Sequence, residues 1–192
     1  LSNYLELPAE YVLPTAGGIS AIDMATHLQC TGTLQFTPCF AEYSMLSGNR
    51  GKNVGNIPLL TGRHVIGDPA QQAKDMLFEG CTVWLCNPLN PIGCAFTSEQ
   101  IEQKHGWLVV DEAFIEYCPD HSAVGLIKNH ERLLVTGSMT KILGIPGVRL
   151  GYLCAQPQVI EKIGKYQLTW EVSCSAEAVL CSLPEHKAEV QA

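Results

Sequence analysis

Several signals that would assign this sequence to another class are missing from it. It has no run of lysines and arginines and no basic residues interleaved with aromatics. A nucleic acid is therefore not an expected partner. The net charge of −7 at pH 7 agrees with that exclusion. No apolar stretch approaches the roughly 20 residues that a membrane-spanning helix needs. The opening LSNYLELPAEY lacks the basic, apolar and small-residue zones of a secretory leader. No CxxC pair occurs, and the six histidines form no ligand cluster with the cysteines, so no metal site is expected. Internal repeats and low-complexity tracts are also missing.

The composition is that of a globular chain. The 192 residues suffice for one domain with a substantial core. Hydrophobic residues make up 46% and charged residues 16%, which excludes disorder. Nine cysteines are an odd number, so complete pairing within the chain is impossible. Cys81 and Cys86 flank the apolar TVWL, and Cys154 and Cys181 also lie among apolar residues, as small buried hydrophobes do. A reducing cytoplasm is the expected setting.

Hydrophobic spacing gives an alternation of strands and helices. Residues 19–28 predict a helix with Ile22, Ala25 and either Met24 or Leu28 on its inner face. Residues 33–37 predict a short strand ended by Pro38. Residues 46–58, rich in Gly and Asn, suggest an exposed, mobile loop, and GNRGKN lacks the spacing of a Walker phosphate loop. A modest helix is expected over 68–78, with Ala70, Ala73 and Leu77 on one side. Residues 82–86 are apolar throughout, as in a parallel strand buried on both faces. Thr97 and Gln100 can form a capping box. The helix so opened is short, because Lys104-His105-Gly106 arrives within two turns. A parallel crossover normally needs more chain, so a deletion or omitted segment is expected at the 103–104 join. A buried strand over 107–110, an extended stretch over 148–153 continuing as a strand over 151–155, and an amphipathic helix over 157–168 complete the pattern, with Ser175 as the cap of a last helix through Leu183. The alternation implies an α/β domain, three layers α/β/α with a mostly parallel sheet.

The chemistry concentrates at strand ends. The stretch 135–152, VTGSMTKILGIPGVRLGY, carries Lys141 on a loop between two strands, the place where function is usually put. Its amine, flanked by Ile142 and Leu143, is expected to be partly desolvated and hence more nucleophilic. Ser138 and Arg149 could both donate to an anion, Arg149 in bidentate fashion. The alternative is a solvated lysine and a structural arginine. Gly17 and Gly18 open a helix where backbone N–H groups could approach an anion, or form an ordinary loop-to-helix turn. Asn87-Pro88-Leu89-Asn90-Pro91-Ile92-Gly93 makes a rigid loop after a buried strand, where open α/β sheets bind ligands. Asp111 ends the next strand, either as a turn former or as a buried anion needing a donor. Phe40 and Tyr43 come after Pro38 as core rings or ligand-stacking rings.

Taken together, SMTKILGIPGVRLGY, NPLNPIG, DEAF and PCFAEY resemble the fold-type-I pyridoxal-phosphate enzymes of the aminotransferase superfamily. The resemblance covers nearly the whole chain and implies a large, cofactor-binding domain over 1–192, with the N-terminal arm and C-terminal small domain of family members either absent or lying outside this sequence. It implies pyridoxal 5′-phosphate as cofactor. Lys141 would be the lysine that carries it, and Asp111 the partner of the pyridine nitrogen. Asn90 would meet the phenolic oxygen, and Phe40, with Tyr43 as second candidate, would stack on the ring. Ser138, Arg149, Gly17 and Gly18 would hold the phosphate. Two positions depart from the family: Ile92 replaces a usual Thr, and Ala16-Gly17-Gly18 replaces an Asn-Gly pair with a nearby Glu.

Phe114-Ile115-Glu116-Tyr117, with Phe where aminotransferases often carry Tyr, is more similar to the threonine-phosphate decarboxylases of cobalamin biosynthesis, as is Trp170-Glu171-Val172-Ser173. The resemblance therefore implies first a decarboxylase that converts L-threonine O-3-phosphate to aminopropanol phosphate. An aminotransferase of the histidinol-phosphate type, or a noncatalytic large-domain fragment, are the alternatives. A phosphorylated amino-acid substrate and a homodimer are implied on the same ground.

Overall fold

The computed structural model describes residues 1–61, 64–65, 80–101, 106–186 and 190. Three apolar runs form the centre of a seven-stranded sheet. These are β6 (Cys81–Cys86), β7 (Trp107–Asp111) and β8 (Leu133–Ser138), which pair in parallel with Val83 opposite Leu108 and Leu108 opposite Leu133. Their side chains are almost wholly buried, as expected for strands covered on both faces. Each fully buried Val or Leu contributes roughly 1.5–3 kcal/mol. Around them lie β1 (Val12–Ala16), β2 (Gly32–Thr37), β3 (Asn53–Pro58) and β9 (Leu150–Cys154), in the order β1-β9-β8-β7-β6-β2-β3. Within this sheet β9 alone runs against its neighbours, antiparallel to both β8 and β1. Two short strands, β4 (Leu60–Thr61) and β5 (His64–Val65), form a separate antiparallel ladder.

Helices complete a three-layer α/β/α domain. The N-terminal α1 (Ser2–Leu5) is a single turn. Ala21, Ile22, Met24 and Ala25 are the buried face of α2 (Gly18–Ala25), which packs on β1, β8 and β9. α3 (Glu42–Asn49) packs on β2 and β3. A single turn, α4 (Ser98–Ile101), precedes β7, and its capping box forms, Thr97 N donating to Gln100 Oε1 at 3.0 Å and Gln100 N to Thr97 Oγ1 at 3.4 Å. α5 (Met139–Ile142) comes after β8, α6 (Pro157–Gly164) after β9, and α7 (Cys174–Ser182) closes the described chain with a last 3-10 turn.

Several sequence expectations need correction. Residues 46–58 are not a loop: they complete α3 and form β3, the edge strand of the sheet. An edge strand pairs on one side only and tolerates Gly and Asn, which hides it from a pattern search. The helix expected over 19–28 starts one residue earlier and ends at Ala25, although Leu28 remains buried. The helix over 157–168 ends at Gly164. Its successor is capped by Ser173 rather than Ser175, the Ser173 hydroxyl accepting from Ala176 N at 3.2 Å. The helix expected over 68–78 and the 103–104 join lie outside the described residues.

Candidate active site

The carboxyl ends of β6, β7 and β8 meet the first turn of α2 around a cavity of about 190 Å³. This is the position at which open parallel sheets bind ligands. Phe40, Asn90, Asp111, Ser138, Lys141, Arg149 and Gly18 all line it, together with Ile22, Cys86 and Phe114. Parallel register aligns the ends of β6, β7 and β8, and the antiparallel β9 between β8 and β1 brings Gly18 and Arg149 to the same concavity.

At one end lies a cradle of donors that could receive an anion. Gly17 is the N-cap of α2 at φ 77°, and the first-turn N–H groups have no intrahelical partner. A Cβ added to Gly17 would lie 2.5 Å from Arg149 Nη2, and one on Gly18 would lie 3.1 Å from Ser138 Cβ. The two glycines therefore let backbone, hydroxyl and guanidinium approach one point. Ser138 Oγ is 2.8 Å from Thr140 Oγ1, which orients it. Arg149 takes a left-handed conformation, and its Nη1 donates to Pro146 O at 3.1 Å.

Closeness of packing gives a direct test of this cradle. A Cβ on Gly151 in β9 would stand 2.4 Å from the Gly17 carbonyl carbon and 2.6 Å from Gly18 N. Gly151→Ala is therefore expected to push the cradle out of place and to destabilise the fold by about 1–3 kcal/mol, as overpacking does. Denaturant unfolding and a phosphate or cofactor titration on the same sample would measure both effects.

At the other end Asp111 forms the floor. It is 4% exposed. Ala113 N donates to its Oδ1 at 3.1 Å, and the Tyr43 hydroxyl donates to its Oδ2. Burial pushes its pKa above the ordinary carboxylate value, against the lowering effect of those donors. Lys141 sits at the mouth on α5, with Nζ 5.8 Å from the centroid of the Phe114 ring. Here the structure overturns two expectations. Lys141 belongs to a helical turn rather than a loop, and its side chain is exposed rather than desolvated. Ile142 and Leu143 are half-buried against the core and leave the amine to solvent.

The structure also separates two rings that the sequence left as alternatives. Phe40 is 41% exposed on the cavity wall, whereas Tyr43 is fully buried beneath it. Two contacts were not visible in the sequence. One is the Tyr43–Asp111 hydrogen bond. The other is Glu171, whose Oε1 accepts from Ala16 N at 3.0 Å and from the Ser20 hydroxyl, across 151 to 155 positions of chain. No local pattern encodes either.

The same fold occurs in known proteins. A family model described as aminotransferase class I and II matches residues 1–190. Histidinol-phosphate aminotransferase 1 of Haemophilus influenzae is 29% identical over 174 residues, 85% of this chain and 49% of the relative. A protein of Caldanaerobacter subterraneus, provisionally named a threonine-phosphate decarboxylase, is 39% identical over 105 residues, 50% of this chain and 29% of the relative. The solved histidinol-phosphate aminotransferase of Clostridium acetobutylicum superposes with a TM-score of 0.83 at 28% identity, covering 99% of this chain and 60% of that one. The chain spans about half the length of the curated relatives it matches.

Proposed function

We propose that this chain, which belongs to the aminotransferase class I and II family, is the cofactor-binding large domain of a decarboxylase acting on L-threonine O-3-phosphate. Pyridoxal 5′-phosphate is the cofactor of the family, and the cavity fits it. A cationic, N–H-lined cradle faces a buried carboxylate across a space walled by an aromatic ring, matching a phosphorylated pyridine with a basic nitrogen. Gly17, Gly18, Ser138 and Arg149 would hold the phosphate. Phe40 would cover one face of the ring, Asn90 would donate to its phenolic oxygen, and Asp111 would accept from its nitrogen. Lys141 would supply the amine that attaches to its carbonyl carbon.

When bound, the cofactor supplies an electron sink for the pair left by a broken bond at the substrate Cα. The chain's own residues govern the protons. Asp111, when ionised, would hold a proton on the ring nitrogen and so favour the electron withdrawal that the cofactor supplies. Lys141, exposed on α5 and lining the cavity, would be the proton carrier at the mouth. After loss of CO₂ it must deliver a proton to Cα, and in transamination it must first remove one. Phe114 is the observation that carries the first outcome. It lies beside the Lys141 amine and Asp111 and brings no hydroxyl to share or relay a proton. The Caldanaerobacter relative supports the same reading, while the longer matches to histidinol-phosphate aminotransferases support transamination as the second.

A homodimer is part of the proposal through the family resemblance. A reducing cytoplasm is its proposed setting, and all nine cysteines are free thiols. Among the described residues no helix is long and apolar enough to cross a membrane. The test is incubation of the full-length protein, loaded with pyridoxal phosphate, with L-threonine O-3-phosphate. Release of CO₂ in step with aminopropanol phosphate is the expected result. Ketoacid-dependent consumption of L-histidinol phosphate without CO₂ would establish the aminotransferase reading instead, and no product from either would leave a noncatalytic binding domain.

A further inference from the structure

We propose that Tyr43 is a positioning residue that holds Asp111 ionised and fixes the plane of its carboxylate. The inference rests on Asp111 being the partner of the cofactor's ring nitrogen. Asp111 stands at the end of β7 with no cation in contact among the described residues. Its negative charge is sustained chiefly by two donors on two different oxygens, Ala113 N–H on Oδ1 and the Tyr43 hydroxyl on Oδ2, with the Thr136 hydroxyl of β8 as a weaker influence. Donors on both oxygens define the carboxylate plane. The backbone donor is built into the turn after β7, so Tyr43 is the side chain on which the arrangement depends.

Tyr43 is itself immobilised. Its ring stacks on Trp84 of β6 at 4.7 Å and 9°, and meets the edge of Phe40 at 5.9 Å and 80°. It is fully buried on α3, and its hydroxyl is spent on Asp111 rather than on solvent. Burial, and then Asp111 itself, push its pKa well above the ordinary phenol value, so it remains a donor throughout the pH range of a folded protein. The other titratable groups around Asp111 are Cys86 at the end of β6, Cys39 in the loop after β2, and Glu112 next in the chain. Burial pushes Cys86 up to about 12 and Cys39 up to about 11, so both are neutral thiols near pH 7. Burial likewise pushes Glu112 up to about 8. None of these groups is a cation, and Lys141 and Arg149 line the same cavity at its mouth and cradle.

A hydrogen bond donated to the charged form of a carboxylate lowers its pKa, so removing one raises it. Tyr43→Phe keeps the ring, the stack and the volume, and deletes the donor alone. The first measurement uses the protein without cofactor. Carbon-detected NMR of aspartate-labelled chain tracks the Asp111 carboxyl, assigned by its loss in Asp111→Asn. The titration midpoint in Tyr43→Phe is expected to rise by about one unit, a tenfold weaker acid. Coincident midpoints would overturn the proposal. If Tyr43→Phe does not fold, 3-fluorotyrosine placed at position 43, a stronger donor of the same shape, should lower the midpoint, and an unchanged one would overturn the proposal.

The second measurement is pyridoxal phosphate affinity against pH. Tyr43→Phe should bind roughly ten- to a hundredfold more weakly near neutral pH, the range for a hydrogen bond to a charged group. The deficit relative to wild type should shrink as pH rises and Asp111 ionises in both proteins. A deficit that stays constant with pH, or none at all, would mean a merely structural role and would sink the proposal. Failure of wild type to bind the cofactor would instead count against the proposed function, with the NMR titration still deciding Tyr43.

Discussion

Lys141→Ala is expected to lower turnover of the loaded enzyme by at least about 10³-fold, the middle of the range for loss of a positioned proton carrier. The same residue is also the proposed attachment point, so the loss should be larger than for either role alone. Among the described residues no second lysine lines the cavity to substitute for it. The side chain is exposed on a four-residue helical turn, so its truncation should change stability by no more than about 0.5 kcal/mol. Loss of function with retained stability is the signature to seek. Lys141→Arg sharpens it, because a guanidinium keeps the charge but cannot lose a proton at accessible pH. It should be as inactive as alanine. Turnover of Lys141→Arg near the wild-type rate would reduce Lys141 to a point charge.

The second large effect is expected at the floor. Asp111→Asn keeps size and shape but cannot hold the ring nitrogen protonated. Removal of one preorganised electrostatic contact from an enclosed site costs about 10²–10³ in rate. Stability should move in the opposite direction. The pKa of Asp111 is raised by burial above its unfolded value of 3.8, so the folded chain binds the proton more tightly than the unfolded one. Its contribution is therefore most favourable below about pH 4 and is lost as pH rises through the folded midpoint. Asp111→Asn should flatten that part of the stability profile and make the cofactor-free protein more stable at neutral pH. A buried carboxylate that costs the fold stability fits the role proposed for Asp111. Denaturant midpoints between pH 4 and 8 for both proteins would measure the difference. An asparagine variant less stable than wild type at pH 7 would contradict it.

The legible and illegible parts of this fold differ for physical reasons. β6, β7 and β8 are buried on both faces, so their sequences are continuous apolar runs that announce themselves. The cavity-lining loops come directly after them, so Asn90, Asp111, Ser138 and Lys141 fall at strand ends in the sequence itself. β3 was invisible because an edge strand with one buried residue, Ile57, has no such run. The antiparallel direction of β9 was equally hidden, since strand direction is set by connections and leaves no mark on composition. Lys141 shows the limit of reasoning from neighbours. Ile142 and Leu143 are apolar, but a helical turn fans successive side chains apart, so their packing on the core does not bury the amine. Tyr43 shows a second limit. Both it and Phe40 are aromatic and close in sequence, and only the turn into α3 decides that one walls the cavity while the other supports Asp111.

The most direct test of a cofactor site built around Lys141 is chemical trapping. The chain would be mixed with pyridoxal phosphate, reduced with borohydride, digested and mapped by mass spectrometry. The expected result is a single stoichiometric adduct on Lys141, absent when Lys141→Ala is treated in the same way. Adducts spread over Lys128, Lys162 and Lys165, with Lys141 unmodified, would contradict the account.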